Sequence, residues 1–356
     1  MRMGRKLIIG ILWILAVVLL VVAIVIGYLS LTEYKPADME LLPIKEGARK
    51  EQPKLDKRMN MITWNIGYAG LGRNQNFFMD GGEMVRPDNK ADVEENLNGI
   101  VRTLSQQKAD IYLLQEVDLN SHRSYNLNQR EALERGMLMS SSFAHNYRCD
   151  FVPFPWPMIG KVESGLMSMS GLLVTEAMRE SLPVPFSWPM RVANLKRCLL
   201  VERVPIEDTE KELVMINLHL EAFDDGEGKI AQTAALMKIL QAEYRNGNYV
   251  IAGGDFNQIF PGANKYPVLN ADYWAPGTLT ERDLPEGFSY VFDASSPTCR
   301  LVNENYSGNR ESTQLFVIDG FILSPNIRVN HVETIDLNFQ HSDHNPVRLE
   351  FMLIGE

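Results

Sequence analysis

Tyr249-Val250-Ile251-Ala252-Gly253-Gly254-Asp255-Phe256-Asn257 is an apolar run that ends in two glycines, a carboxylate and an amide. Residues 249–252 read as a short buried strand. The glycines allow a tight turn and a close approach to another group. Asp255 and Asn257 then lie on one face, because side chains of extended chain alternate with period two. A carboxylate beside an amide oxygen suits a hard cation or a phosphate-bound water. Gly, Asp and Asn are also ordinary turn formers, so this stretch alone reads equally well as a plain strand exit. The rest of the chain decides.

The strand follows an amphipathic helix at residues 229–244, with Ile230, Leu236, Met237, Ile239 and Leu240 among its apolar positions. Before that helix, residues 166–174, 198–204 and 213–218 are strand candidates without intervening helices, which implies antiparallel pairing. Nearer the N-terminus, residues 59–65 alternate as a strand closed by Asn65. Residues 92–107 form a helix on Val93, Leu97, Ile100, Val101 and Leu104, and residues 110–115 form a strand with Glu116 at its end. Strand, helix and strand in that order predict an α/β layer arrangement. Residues 68–90 read as a long Gly- and Asn-rich loop, a type of segment often used for function. Residues 129–138 suit a short helix. Residues 143–163 mix aromatics with prolines and read as a rigid surface loop. Residues 313–323, 329–334 and 347–353 close the chain as strands. There is no internal repeat and no low-complexity tract.

Residues 7–29 hold no charged side chain and are dominated by Leu, Ile and Val. That is a length able to cross a bilayer as a helix. Arg2, Arg5 and Lys6 precede it, so the positive-inside rule keeps residues 1–6 cytoplasmic and the remaining chain outside. The run is long for a signal peptide, and no Ala-x-Ala site follows, so an uncleaved anchor is expected. Residues 30–58 are rich in Pro, Lys and Glu and read as a stalk or extended lead-in, with a single domain from 59 to 356. The 356 residues carry a net charge of -10, which argues against a broad nucleic-acid-binding surface. The three cysteines, Cys149, Cys198 and Cys299, are far apart and define neither a zinc site nor a disulfide framework.

Polar residues gather at strand ends in a way that propensity does not require. They are Asn65, Glu116, His219, Asp255 with Asn257, Asp319 inside an apolar run, and Asp343-His344-Asn345-Pro346 before the last strand. A buried Asp is costly unless paired, and His344 is available to Asp319. The ordered set Trp64-Asn65-Ile66-Gly67, Leu114-Gln115-Glu116-Val117, Asn217-Leu218-His219, Gly253-Gly254-Asp255-Phe256-Asn257, Ile318-Asp319-Gly320 and Ser342-Asp343-His344-Asn345-Pro346 resembles the endonuclease/exonuclease/phosphatase family of DNase I-like proteins.

The resemblance implies a four-layer α/β/β/α sandwich and hydrolysis of phosphate esters assisted by Mg²⁺ or Mn²⁺. It implies that Glu116 is the principal metal ligand, helped by Asn65, with Asp343 next to the metal. Asp255 would orient or deprotonate the attacking water, Asn257 would help hold the phosphate, and His219 would bond a phosphate oxygen or the leaving group. Asp319 would pair with His344. His122, Arg123 and Tyr125 follow Glu116 closely and are candidates for substrate contact, although hydrogen-bonded loop residues explain them equally. Many members carry a cation after the Ser of a mid-domain strand. Here Gly165-Leu166-Met167-Ser168-Met169-Ser170-Gly171 has Gly in its place, which weakens a nucleic-acid reading; Arg197 is the nearest substitute. The expected protein is a membrane-anchored phosphoesterase. A nuclease of extracellular nucleic acid and a sphingomyelinase-like lipid phosphodiesterase are the alternatives, and a catalytically silent surface binding protein is the rival of another class. No protein partner is implied.

Overall fold

A computed structural model describes residues 2–224 and 226–355, with residues 2 and 3 described by backbone only. Helix α1 spans Arg2–Leu31. By length and composition it is able to cross a membrane, and it is exposed along its apolar stretch as far as Ile24; an N-terminal signal sequence meets the same criteria. The chain that follows is extended but not free. Strand β1 (Met39–Leu41) joins a sheet edge, and isolated bridges Lys45–Ser141 and Glu51–Leu172 lay the rest of the lead-in along the domain.

The domain then runs in order. β2 is Arg58–Asn65, α2 Lys90–Gln107, β3 Ile111–Asp118, α3 Gln129–Met137, β4 Ser140–Val152 and β5 Gly160–Ser170. β6 is Glu176–Ser181, β7 Cys198–Pro205, β8 Glu212–His219, α4 Glu227–Arg245 and β9 Tyr249–Asp255. β10 (Gln258–Ile259) pairs with β11 (Gly277–Thr278), and β12 is Ser289–Val291. β13 (Cys299–Arg300) pairs with β14 (Leu315–Phe316), and β15 (Asp319–Leu323), β16 (Ile327–Thr334) and β17 (Val347–Leu353) complete the chain.

Two main sheets result, one of seven strands in the order β1-β6-β7-β8-β9-β15-β12 and one of six in the order β16-β17-β2-β3-β5-β4. Their inner faces meet through Met61, Leu113, Met215, Ile251, Phe321 and Phe351, all fully buried. Helix α4 covers the outer face of the first sheet with Leu236 and Leu240. Helices α2 and α3 cover the outer face of the second with Ile100, Leu104 and Leu133 against Trp64 and Tyr112. The fold is therefore the expected four-layer α/β/β/α sandwich. Each such side chain contributes about 1.5–3 kcal/mol by leaving water.

Three elements differ from the sequence reading. Residues 143–163 are mostly two long paired strands, β4 and β5, and only the tip between them is the Pro-rich loop. The run 313–323 is broken, because the Thr298 hydroxyl accepts the backbone N–H of both Ile318 and Asp319, at 3.0 and 3.1 Å, where a ladder would otherwise continue. Strand β3 continues past Glu116 to Asp118.

Candidate active site

β2 runs parallel to β3, and β8 parallel to β9, so four strand ends point the same way. The two sheets touch there through one hydrogen bond: Asn65 Nδ2 donates to Asp255 Oδ2 at 3.0 Å. The same amide donates to Glu116 Oε1 at 3.2 Å, and its oxygen accepts from Gly67 N. Behind this contact Gln115 Nε2 donates to Asn217 Oδ1 at 2.8 Å, and Asn217 Nδ2 donates to the Leu114 and Met167 carbonyls. These two buried amides tie the sheets together under the site, although Gln115 Oε1 is buried with no hydrogen-bond partner among the described residues. The sequence motifs contained both residues but gave no reason to assign them a role.

The glycines of the opening stretch do not turn. They continue β9, and close approach is what requires them. A Cβ on Gly254 would lie 1.9 Å from the Leu218 carbonyl oxygen, and one on Gly253 would lie 2.5 Å from the Phe321 ring. Asp255 therefore ends a flat strand directly opposite Asp319 on β15. Asp255 Oδ1 accepts from Asn257 N at 2.9 Å, and Asn257 Nδ2 donates to the Leu220 carbonyl. Asn257 holds φ 50°, a left-handed conformation that Asn tolerates.

Glu116 holds φ 56° at a bulge where the β3–β5 register shifts between Leu114 and Val117. A bulge re-aims a side chain, and a left-handed non-glycine residue is a strained position that the surroundings must hold. It leaves Glu116 half-buried beside the buried Asn65 and Asp255.

Asp319 Oδ2 lies 2.8 Å from His344 Nδ1, which is the expected pair, and Asp319 Oδ1 is buried with no hydrogen-bond partner among the described residues. His344 Nε2 then faces Asp255 Oδ2 at 3.7 Å, and His219 Nε2 lies 3.4 Å from the same oxygen. Burial pushes the His344 pKa down, but the Asp319 and Asp255 charges outweigh it and hold the ring well above the usual histidine value. Burial and the Arg197 charge push His219 well below it, so that ring is neutral near pH 7. Burial raises the Asp255 carboxyl to about 6, against the opposing pull of His344. Asp343 is pushed up to about 7 by burial, with Glu116 adding like-charge repulsion. Asp80, absent from the sequence reading, accepts from Val302 N beside this group and is raised by burial to about 6.

The remaining candidates have partners inside the protein. Arg123 grips Asp118 at 2.9 and 3.1 Å and lies 3.8 Å over the Tyr68 ring. Tyr125 donates its hydroxyl to the Pro87 carbonyl. Arg197, 4% exposed, bonds Glu221 and the His219 carbonyl. His122 is exposed on the rim, with Nδ1 accepting from Lys161 N. Gly171 lies at the far end of β5 beside Arg49, and a Cβ on Gly165 would collide with the Ala144 carbonyl.

The donor set is one of hard oxygens from carboxylates and an amide, buried deeply enough to raise the Asp255 and Asp343 carboxyls. That is the chemistry a small divalent cation matches. Asp255, Asp319 and His344 bring ligand atoms within 4.8 Å of one another, but His344 Nδ1 is already taken up by Asp319. Glu116 lies beside Asn65, from whose amide it accepts a hydrogen bond, and its charge reaches Asp343.

The sequence model of the endonuclease/exonuclease/phosphatase family matches residues 62–344, and the chain belongs to that family. Members act on phosphoester bonds and typically use divalent metals. Among solved structures, a family protein from Beutenbergia cavernae is 17% identical with a TM-score of 0.56, over 84% of this chain and 72% of that one. A family protein from Bacteroides thetaiotaomicron is 17% identical with a TM-score of 0.52, over 84% and 99%. Truncated TDP2 from Caenorhabditis elegans is 14% identical with a TM-score of 0.50, over 83% and 98%. At these identities the likeness is one of fold. No curated protein matches the chain.

Proposed function

We propose that this chain hydrolyses phosphate esters by metal-assisted attack of water, with the chemistry centred on Asp255 Oδ2. The observation that carries the reading is the convergence on that one oxygen of Asn65, His219 and the Asp319–His344 pair, drawn from both sheets. Asp255 takes the proton from water, and a carboxyl poised near 6 is suited to that task near neutral pH. Asn65 and the Asn257 N–H fix its two oxygens. His344, held as a cation by Asp319, presents Nε2–H to the charge that develops on the phosphate oxygens. Neutral His219 donates to a phosphate oxygen or the leaving group. Glu116, Asn65 and Asp343 would hold Mg²⁺ or Mn²⁺, which supplies positive charge for the phosphoryl oxygens when bound.

The substrate reading is a lipid-borne or soluble phosphate ester ahead of nucleic acid. The net charge is -10, and Arg123 and Arg197 are committed to internal carboxylates, so they offer little for a polyanionic backbone. Helix α1 is read as a retained anchor with the domain outside the cytoplasm. The test is hydrolysis of bis(p-nitrophenyl) phosphate, sphingomyelin, phosphoinositides and DNA by the purified full chain. Activity should vanish in EDTA and return with Mg²⁺ or Mn²⁺, and Asp255→Ala should lower turnover by roughly 10²–10⁴-fold with the fold intact. Full turnover by that variant, or by metal-stripped protein in chelator, would sink the reading.

A further inference from the structure

Large apolar side chains stand in solvent on two neighbouring loops away from the core. Between β4 and β5, Trp156 is 84% exposed, Phe154 69% and Met158 44%. Between β6 and β7, Met190 is 66% exposed and Trp188 59%. Single exposed apolar residues are ordinary, but a group of this size on adjoining loops marks an interaction surface.

Both loops meet the C-terminal end of α1. Leu29 is buried there, with Val25 beside it, against Cys149, Val152, Val162 and Val192. Trp188 Nε1 donates to Ser30 Oγ at 3.1 Å. Arg191 and Lys196 hold the buried Glu33 at 2.9 and 3.2 Å. The last turn of α1 and the two loops are thus one packed unit, while the preceding turns of α1 are bare and apolar. A bilayer covering those turns would have its polar boundary at the level of the loops. Tryptophan, with an apolar ring and one N–H donor, is favoured at that depth. Phe154 also meets Phe78 edge-on at 6.1 Å, next to the turn that carries Asp80 toward the site.

We propose that these two loops form a seat on the lipid bilayer around the exit of α1, with Trp156 and Trp188 in the head-group boundary. The inference rests on α1 being a retained membrane span. Lipid is the occupant because the patch is continuous with the bare apolar surface of α1. A domain standing clear of the membrane would have to give up the Leu29, Ser30 and Glu33 contacts.

The chain has five tryptophans, and Trp13 lies within α1, Trp64 is buried and Trp274 is half-buried. The full chain is placed in phosphatidylcholine/phosphatidylglycerol vesicles whose acyl chains are plain or brominated near the head group. In Trp13→Phe, bromine should remove roughly a quarter or more of the emission, since two of the four remaining tryptophans would sit in the boundary. Adding Trp156→Phe and Trp188→Phe should abolish that loss with an unchanged circular dichroism spectrum. Trp156→Phe/Trp188→Phe alone keeps Trp13 as the reporter of α1. If Trp13 is quenched but the Trp13→Phe protein is not, the seat is overturned and the anchor stands. If Trp13 is not quenched, the anchor reading falls and the seat with it. Emission that follows protein density in the vesicle and ignores bromine would assign the patch to a second copy and overturn the seat.

Discussion

His344 owes its charge chiefly to Asp319, at 2.8 Å, with Asp255 adding to it. Replacing Asp319 with Asn removes the largest favourable charge, so the His344 pKa must fall and its cationic form must be lost at lower pH. The expected result for Asp319→Asn is an activity limb that moves to lower pH and a turnover reduced by roughly 10²-fold or more, near the scale of a lost acid or base. A pH–rate profile superimposable on wild type would remove His344 from the chemistry. Glu202 offers a test far from the site. It is buried and accepts from the Ser142 hydroxyl, and its other oxygen has no hydrogen-bond partner among the described residues. Burial raises its carboxyl from 4.5 to about 7. The folded state therefore binds more protons than the unfolded state between those values, and stability is lost as pH rises through that window. Glu202→Gln should raise stability at pH 8 by about 3 kcal/mol and change little at pH 4. Equal melting temperatures of the two proteins at pH 8 would contradict this. At this scale the sequence was legible where chemistry is unusual: a carboxylate inside an apolar run needs a partner, and Asp319 has one. Asp80 was not legible, because an Asp in a Gly-rich turn looks like any turn former.

The elements were legible where one face is buried and the other is not, as in α2 and β17. Reading failed where the determining contact is distant in sequence. Thr298 breaks the 313–323 run from outside it, and the β3 bulge that lifts Glu116 depends on its pairing with β5. The aromatic and proline-rich tip after β4 concealed two long strands, because turn chemistry in a few residues coloured the whole stretch. Two predictions belong here. Gly254→Ala places a methyl against the Leu218 carbonyl inside a parallel pair, so β8 and β9 must separate. A loss of about 3 kcal/mol or more is expected, read by urea unfolding. A stability within 1 kcal/mol of wild type would show that the strands yield cheaply. The second concerns β1. A chain begun at Met59, the boundary that the sequence alone marks, would lose β1 and the Lys45–Glu134 ion pair and uncover the β6 edge. Open edges recruit other strands. That shortened chain should aggregate, whereas one begun before Met39 should stay monodisperse in sedimentation.

For the molecule as a whole, the basic start of α1 predicts that residues beyond Tyr34 face the outside. Protease added to intact cells stripped of outer layers should cut there, and protection until the membrane is breached would reverse the orientation. With α1 retained in the membrane as proposed, the α1–domain junction would set how the site meets its substrate. Leu29 is packed into the domain and β1 begins at Met39, so no slack chain separates the helix from the body. On the reading proposed above, an enzyme held this way would not sample a volume. It would drift in a plane, and for a substrate lying in that plane the encounter rate would follow molecules per unit area rather than per litre. Diluting the vesicles would leave turnover unchanged, while diluting such a substrate among inert lipids would lower it.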